Sequence, residues 1–385
     1  MAVIRKDFLP FGRPNFSREE IEAVTRVLTS GWIGMGPETM SFEEELAAFL
    51  GARHVVTVNS CTSALFLSLL VGGVDKGDEV ICPSLTWCST ANAALYLGAT
   101  PVFCDVDPYT LCATSETVRA KLTPRTKAVV VVHFGGLAAD VDGIRDALPD
   151  GVRLVEDAAH ALGTRLADGR NVGASGNLTC FSFYANKNLS TGEGGAIALR
   201  DDETAGRLRS LRLHGLPADA WKRFSNPAGR FVSELTELGY KMNYTDLQAA
   251  IGRVQLRRQA ELHETRLAIA KYYRDRLSAL DIGMGFQRGV TEWTHAHHLF
   301  VVFLPTERMS RGRDELLAEL RKRNIGASIH YHPLHRMSLY GAVKQPALPV
   351  TERVADCILT LPISSSMTLE DARYVVDNLT ELLSD

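Results

Sequence analysis

A chain of 385 residues, 45% hydrophobic and 23% charged, has an ordinary globular make-up and exceeds one core of usual size, so two domains are expected. A formal net charge of −3 offers no field for nucleic acid or an anionic membrane, and any anionic ligand must be held by a local site. The seven cysteines stand singly and the longest apolar runs are strand-sized, which argues against a disulfide framework, a thiolate zinc centre and a membrane span.

Met1 to Asp7 lack the apolar run of a signal peptide, pointing to the cytoplasm. From about residue 17 to 215, apolar strand-like runs alternate with helical patterns. Strands are expected at 54–58, 79–82, 102–105, 128–133, 153–156, 179–183 and 196–199. Several are β-branched without polar alternation, as in strands covered on both faces. Helical periodicity fills 63–70, 89–96 and 141–148 between them. This order predicts an α/β domain with a mostly parallel seven-stranded sheet. After Asp246 the pattern changes to one long helix or two as far as about 280, a strand at 299–303, a helix at 313–323, a short strand at 327–331 and a terminal helix at 369–383. That describes a smaller α+β domain, and the expected division is 1–255 and 256–385.

Three local patterns carry chemistry. In Asn59-Ser60-Cys61-Thr62-Ser63 a strand ends in small polar residues and enters an apolar helix. The free amides of such a helix start form an anion site, although taken alone the pattern is better explained as a simple cap by Ser60 or Thr62. Val155-Glu156-Asp157 puts an acidic pair at the end of a buried strand, the edge where α/β sheets bind ligands. Lys187 follows the aromatic strand Phe181 to Tyr184 and precedes the Gly-rich turn Gly192-Glu193-Gly194-Gly195. No GxxxxGK[ST] or GxGxxG pattern offers a nucleotide-loop reading.

Each pattern alone has a bland reading; together they fit one cofactor. Pyridoxal 5′-phosphate (PLP) needs a lysine amine, a carboxylate for its pyridinium nitrogen, a phosphate cradle and a ring against its face. Lys187, one of the acidic pair Glu156-Asp157, the Cys61–Thr62 helix start and Trp87 are the candidates, Trp87 being equally explicable as packing.

At these residues the sequence resembles the DegT/DnrJ/EryC1/StrS family of sugar aminotransferases, of aspartate-aminotransferase fold type I. Besides the patterns above, the resemblance rests on Gly31-Trp32-Ile33 with Gly36-Pro37, His160, Ser182-Phe183, Gly239-Tyr240-Lys241-Met242-Asn243, Gln248 to Gly252, and His330-Tyr331-His332-Pro333-Leu334-His335. Pro83 to Trp87 and Phe8 to Phe11 look most like enzymes that aminate a UDP-4-keto pentose. The resemblance implies that Lys187 forms the Schiff base, Asp157 pairs with the ring nitrogen and His160 sits beside the ring hydroxyl. It further implies that Cys61, Thr62 and Ser182 hold the phosphate. Asn243, with Lys241, would reach it from the neighbouring subunit of a homodimer whose active sites lie at the interface. Many relatives have Gly or Ala at Cys61, and other branches carry Asn and Arg at Lys241 and Asn243. His330 and Tyr331 are implied near the substrate entrance. The expected reaction is ping-pong transfer from L-glutamate to a nucleotide-linked keto sugar.

Arg223 and Arg230, in the polar stretch 221–233, are either diphosphate ligands or solvated surface; Arg230 is carried as a substrate candidate. Other readings are amination of a non-sugar cyclic ketone and a non-catalytic PLP-binding or metal-binding protein. For the last, the groups His295, His297, His298 and His330, His332, His335 have ligand-like spacing, against the simpler view that His297-His298 begin a core strand. No metal is expected.

Overall fold

The computed structural model describes residues 4–166, 168–216, 235, 237–280, 282–289, 295–341 and 347–384. Seven strands form the main sheet: β1 (His54–Val58), β2 (Glu79–Pro83), β3 (Thr100–Cys104), β4 (Thr126–Val132), β5 (Arg153–Asp157), β6 (Leu178–Ser182) and β7 (Gly195–Leu199). Their order is β1-β7-β6-β5-β4-β2-β3, with β3 to β6 and β2 paired in parallel and β7 antiparallel to both its neighbours. All seven expected strands are present within one or two residues of their predicted bounds.

One consequence positions the site. Val58 and Ser182 both lie opposite Gly195, so the C-terminal ends of β1 and β6 and the start of β7 share one edge with the C-terminal end of β5. From that edge runs α3 (Cys61–Val71), buried on nearly every side, as its uniformly apolar composition requires. Helix α4 (Ser89–Leu95) packs beside it on the same face.

Before the sheet come α1 (Arg18–Ser30) and α2 (Pro37–Leu50). Helix α2 begins at Gly36, which has no side chain to cap it, with Pro37 at its first position. Asp246 supplies the cap from across the chain: Oδ1 accepts the amides of Gly36 (2.8 Å) and Thr39 (3.0 Å), and Oδ2 accepts that of Glu38 (3.2 Å). Gly36 is required here, because a Cβ would meet Asp246 Oδ2 at 2.7 Å and Trp32 at 2.0 Å.

Helices α5 (Ser115–Arg119), α6 (Val141–Asp146) and α7 (Asp202–Leu211) complete this half. The segment from Asp246 resolves into two helices, α8 (Asp246–Arg257) and α9 (Gln259–Ser278), breaking at Arg258. Residue 255 falls inside α8, which packs on α1 and α2, whereas α9 packs on the terminal helix α12 (Leu369–Ser384). A second core joins α9, α10 (Arg313–Lys322) and α12 to a three-stranded sheet of β8 (Gly285–Phe286), β9 (Phe300–Phe303) and β10 (Ile358–Leu361). Leu9, far away in sequence, joins this core and bridges Ile325. No described helix is long and apolar enough to cross a membrane.

Two expectations fail in this half. The segment 327–331 is not a strand: only Ser328 bridges, to Thr360, and the edge is taken by β10. Strand β10 follows α11 (Pro349–Cys357) with no Gly or Pro between them, which hid it in the sequence. Nor do His297 and His298 begin a strand. His297 has φ +47°, a left-handed conformation uncommon outside glycine that breaks an extended run, and β9 starts only at Phe300.

Candidate active site

A cavity of about 420 Å³ opens at the carboxyl edge of the main sheet, between the start of α3 and the segment around Tyr331. Of the residues singled out in the sequence, Cys61, Thr62, Trp87, Asp157, His160, Ser182, Lys187, His330 and Tyr331 all line it. Lys241 and Asn243 do not; they lie next to the β1–α3 junction, where Met242 accepts the amide of Asn59. Arg223 and Arg230 fall outside the described residues.

Lys187 owes its position to the loop after β6. Phe183 closes that loop from both sides, donating its amide to Gly194 and accepting that of Thr191, so that Lys187 projects back over the sheet edge. The side chain is partly buried, and its open side is the cavity rather than bulk water. Burial lowers its pKa to about 8, against the opposing pull of Cys61 and Asp157 and with Arg266 adding repulsion. On the order of a tenth of its population is therefore the free amine at pH 7, far more than for an ordinary lysine.

Asp157 ends β5 at 5% exposure. Its Oδ2 accepts Thr90 Oγ1 (2.8 Å) and its Oδ1 accepts the amide of Ala159 (3.2 Å). Burial outweighs these donors, and the carboxyl is held above its ordinary range. Among the described residues no cationic side chain forms an ion pair with it, and a pyridinium N–H would be such a partner.

Opposite, Ser60 caps α3 by accepting the amide of Ser63 (3.1 Å), and the amides at Cys61 and Thr62 begin the helix without an intrahelical acceptor. The local reading as a cap is therefore correct, and it leaves the anion reading intact. Gly195 lets this helix start press onto the sheet: a Cβ there would lie 2.6 Å from the amide nitrogen of Cys61. Burial pushes the Cys61 thiol well up, so it stays a neutral thiol. Ser182 presents its hydroxyl at the same edge. A buried cation-seeking carboxylate, a lysine of lowered pKa and a helix start for a phosphate thus converge on one cavity, and these residues fit PLP.

His160 lies over this arrangement, its ring stacked at 4.5 Å on His298. Its Nδ1 accepts the amide of Gly135 (3.3 Å), so its proton sits on Nε2 and is donated to Tyr331 Oη (3.1 Å). Burial first, then Lys187 and His330, push His160 well below the usual histidine range. His330 binds Thr360 Oγ1 through Nδ1 (3.0 Å) and is lowered to about 3, chiefly by burial. Trp87 is 61% exposed at the mouth, 5.9 Å from the Tyr331 ring.

Sequence reasoning missed His298, Asn188 and Thr90. His298 was visible only as part of a histidine cluster; the turn at His297 is what carries it to Lys187. The other clustered histidines disperse: His295 stacks on His297, while His335 binds Ser84 Oγ and faces Glu352. Thr90 gave no local signal.

Comparison with known proteins agrees with this geometry. The DegT/DnrJ/EryC1/StrS aminotransferase family matches residues 14–380. The spore coat polysaccharide biosynthesis protein SpsC of Bacillus subtilis is 41% identical, covering 100% of this chain and 99% of its own. The crystal structure of the aminotransferase TlmJ from Streptoalloteichus hindustanus superposes with a TM-score of 0.89 at 37% identity, covering 98% of this chain and 99% of that one. Spr1654, a candidate sugar aminotransferase of Streptococcus pneumoniae solved in its PLP form, gives 0.89 at 26% identity, covering 98% and 99%. The chain belongs to the DegT/DnrJ/EryC1/StrS aminotransferase family, as a PLP-dependent aminotransferase of fold type I.

Proposed function

We propose that this enzyme moves the amino group of L-glutamate to a nucleotide-linked keto sugar, most simply a 4-keto sugar, by ping-pong transfer. The observation that carries the reading is the meeting of Lys187, Asp157 and the start of α3 in one cavity. The sugar acceptor is supported by the similarity to SpsC, a protein named for polysaccharide biosynthesis.

When bound, PLP acts as the electron sink that makes the carbon–hydrogen bond next to the amine acidic. In this reading Lys187 is the amine that holds the cofactor and the base that carries the proton to and from the substrate carbon. Asp157 keeps the ring nitrogen protonated, and Ser182 with the amides at Cys61 and Thr62 holds the phosphate. The Nε2–H of His160 fixes Tyr331 Oη, freeing the Tyr331 proton to be donated into the cavity, where it would serve a bound acceptor. His330 and, from the stretch 221–233, Arg230 are proposed on the substrate side.

The active form is proposed to be a homodimer, with Lys241 and Asn243 completing the partner's phosphate site. Support comes from their position outside this chain's own cavity and from an apolar groove of about 370 Å³ at α1 and α8. There Ile21 is 66% exposed and Phe16 49%. All seven cysteines are unpaired, which supports a reducing cytoplasm. The proposed domain boundary stays near residue 255, with the break between α8 and α9 at Arg258 as the nearest junction.

The test is a panel of nucleotide 4-keto and 3-keto sugars beside an aminoshikimate-type ketone, read as glutamate-dependent amine formation. Amination of a nucleotide keto sugar supports the reading. Turnover of the cyclic ketone alone overturns its substrate half, and no glutamate-dependent change in the cofactor's absorption would mark a non-catalytic PLP-binding protein.

A further inference from the structure

Next to Lys187 lies a chain of contacts whose hydrogen-bond directions are fixed from its far end. Asn188 Nδ2 donates to the carbonyl of Ala296 (2.8 Å), a group that can only accept, so Asn188 Oδ1 points the other way. That oxygen lies 3.2 Å from His298 Nδ1 and can only accept in turn, so the proton of the imidazole sits on Nδ1. His298 Nε2 is left with its lone pair facing Lys187 Nζ at 3.5 Å. The ring has little freedom to do otherwise. It is 3% exposed, stacked on His160, and its chain is held by Arg266, which donates to the carbonyl of His297 (3.3 Å).

We propose that His298 is the positioning residue of Lys187: locked by Asn188 as the Nδ1–H tautomer, it accepts one N–H of Nζ and turns the lysine lone pair into the cavity. This rests on the reading of Lys187 as the cofactor lysine. The contact is long, as such contacts often are before a catalytic site is filled, and a small rotation of the lysine side chain shortens it. No proton changes hands. The groups facing His298 and Lys187 are His160, His330, Arg266, Asp157 and Cys61. Burial, followed by Lys187 and His160, holds His298 well below the usual histidine range, so it is a neutral acceptor near neutral pH.

The direct test is nitrogen NMR of the cofactor-free protein labelled with 15N-histidine, with the His298 signals assigned by their loss in His298→Gln. The Nδ1–H tautomer is expected and Nε2–H overturns the proposal, with His298→Phe giving the same assignment independently of His298→Gln. The second test compares His298→Phe, which keeps a ring but no acceptor, with His298→Gln, which restores one. In the Phe variant the pH midpoint for PLP capture by the cofactor-free protein should fall below the Lys187 value of about 8, because the ammonium loses an acceptor. Its single-turnover rate with glutamate should drop about 10–100-fold, at or below the low end of proton-transfer effects because the base itself is kept, with Gln recovering most of it. A Phe variant equal to wild type in both readouts overturns the proposal. If Lys187→Ala still turned over while the Nδ1–H tautomer was found, the function would be wrong and the His298 contact correct.

Discussion

Glu156 and Asp157 are neighbours on β5, nearly equally buried, and send their carboxylates to opposite faces of the sheet. Glu156 is surrounded by donors: His133 Nε2 at 3.0 Å, Asn177 Nδ2 at 2.6 Å and Ser175 Oγ. Burial opposes its charge, but these donors win and its pKa is lowered. Asp157 has two donors, and burial wins. One face therefore finishes its electrostatics within the fold, while the other leaves a carboxylate that a cationic ligand completes. Such unfinished pairing, rather than acidity itself, separates a ligand site from an anchor.

Substitutions on the two faces should part function from stability. Asp157→Asn is expected to cut turnover on the order of 10³-fold, as loss of a preorganised charge does, while the protein still folds. Steady-state kinetics beside a melting curve check this; wild-type turnover would show that Asp157 faces no cofactor. Glu156→Ala is expected to cost about 3 kcal/mol of stability, since His133, Ser175 and Asn177 lose their acceptor. Its kcat should change little once the protein is held folded, as urea unfolding and kinetics at low temperature would show. Asp246→Ala should cost about 2 kcal/mol by uncapping α2, again without a kinetic effect.

The smallest effects are in pH, and they have opposite signs. Glu156 has a folded pKa below 4.5, so its stabilisation is complete above that value and is lost as pH falls. Asp157 has a folded pKa above 3.8, so its contribution is complete below that value and is lost as pH rises. In the cofactor-free protein, Asp157→Asn should therefore be more stable than wild type at neutral pH, the gap closing as pH falls toward 3.8. The deficit of Glu156→Gln should instead narrow below 4.5. Urea midpoints from about pH 3 to 8 would show whether, as pH falls, Asp157→Asn loses an advantage over wild type while Glu156→Gln loses a deficit; gaps of the same sign would remove the distinction between the faces.

How much of this was legible beforehand depended on the range of the signal. The seven strands could be read because each is a short apolar run bounded by turn residues. The acidic pair could be found as a pair, but not divided: which carboxylate meets a ligand depends on His133, Ser175, Asn177 and Thr90, each from another segment. Only the family resemblance chose Asp157. His298 was hidden for a related reason, since one left-handed residue at His297 decides its direction and alternation predicts another. The cap of α2 by Asp246 spans more than half the chain, beyond any local pattern.

The central claim is that Lys187 is the cofactor lysine, and borohydride reduction of the PLP-loaded enzyme followed by peptide mapping tests it most directly. One reduced adduct at Lys187 is predicted, lost together with turnover in Lys187→Ala. An adduct at another lysine, or trapping or turnover that survives that substitution, would contradict the account.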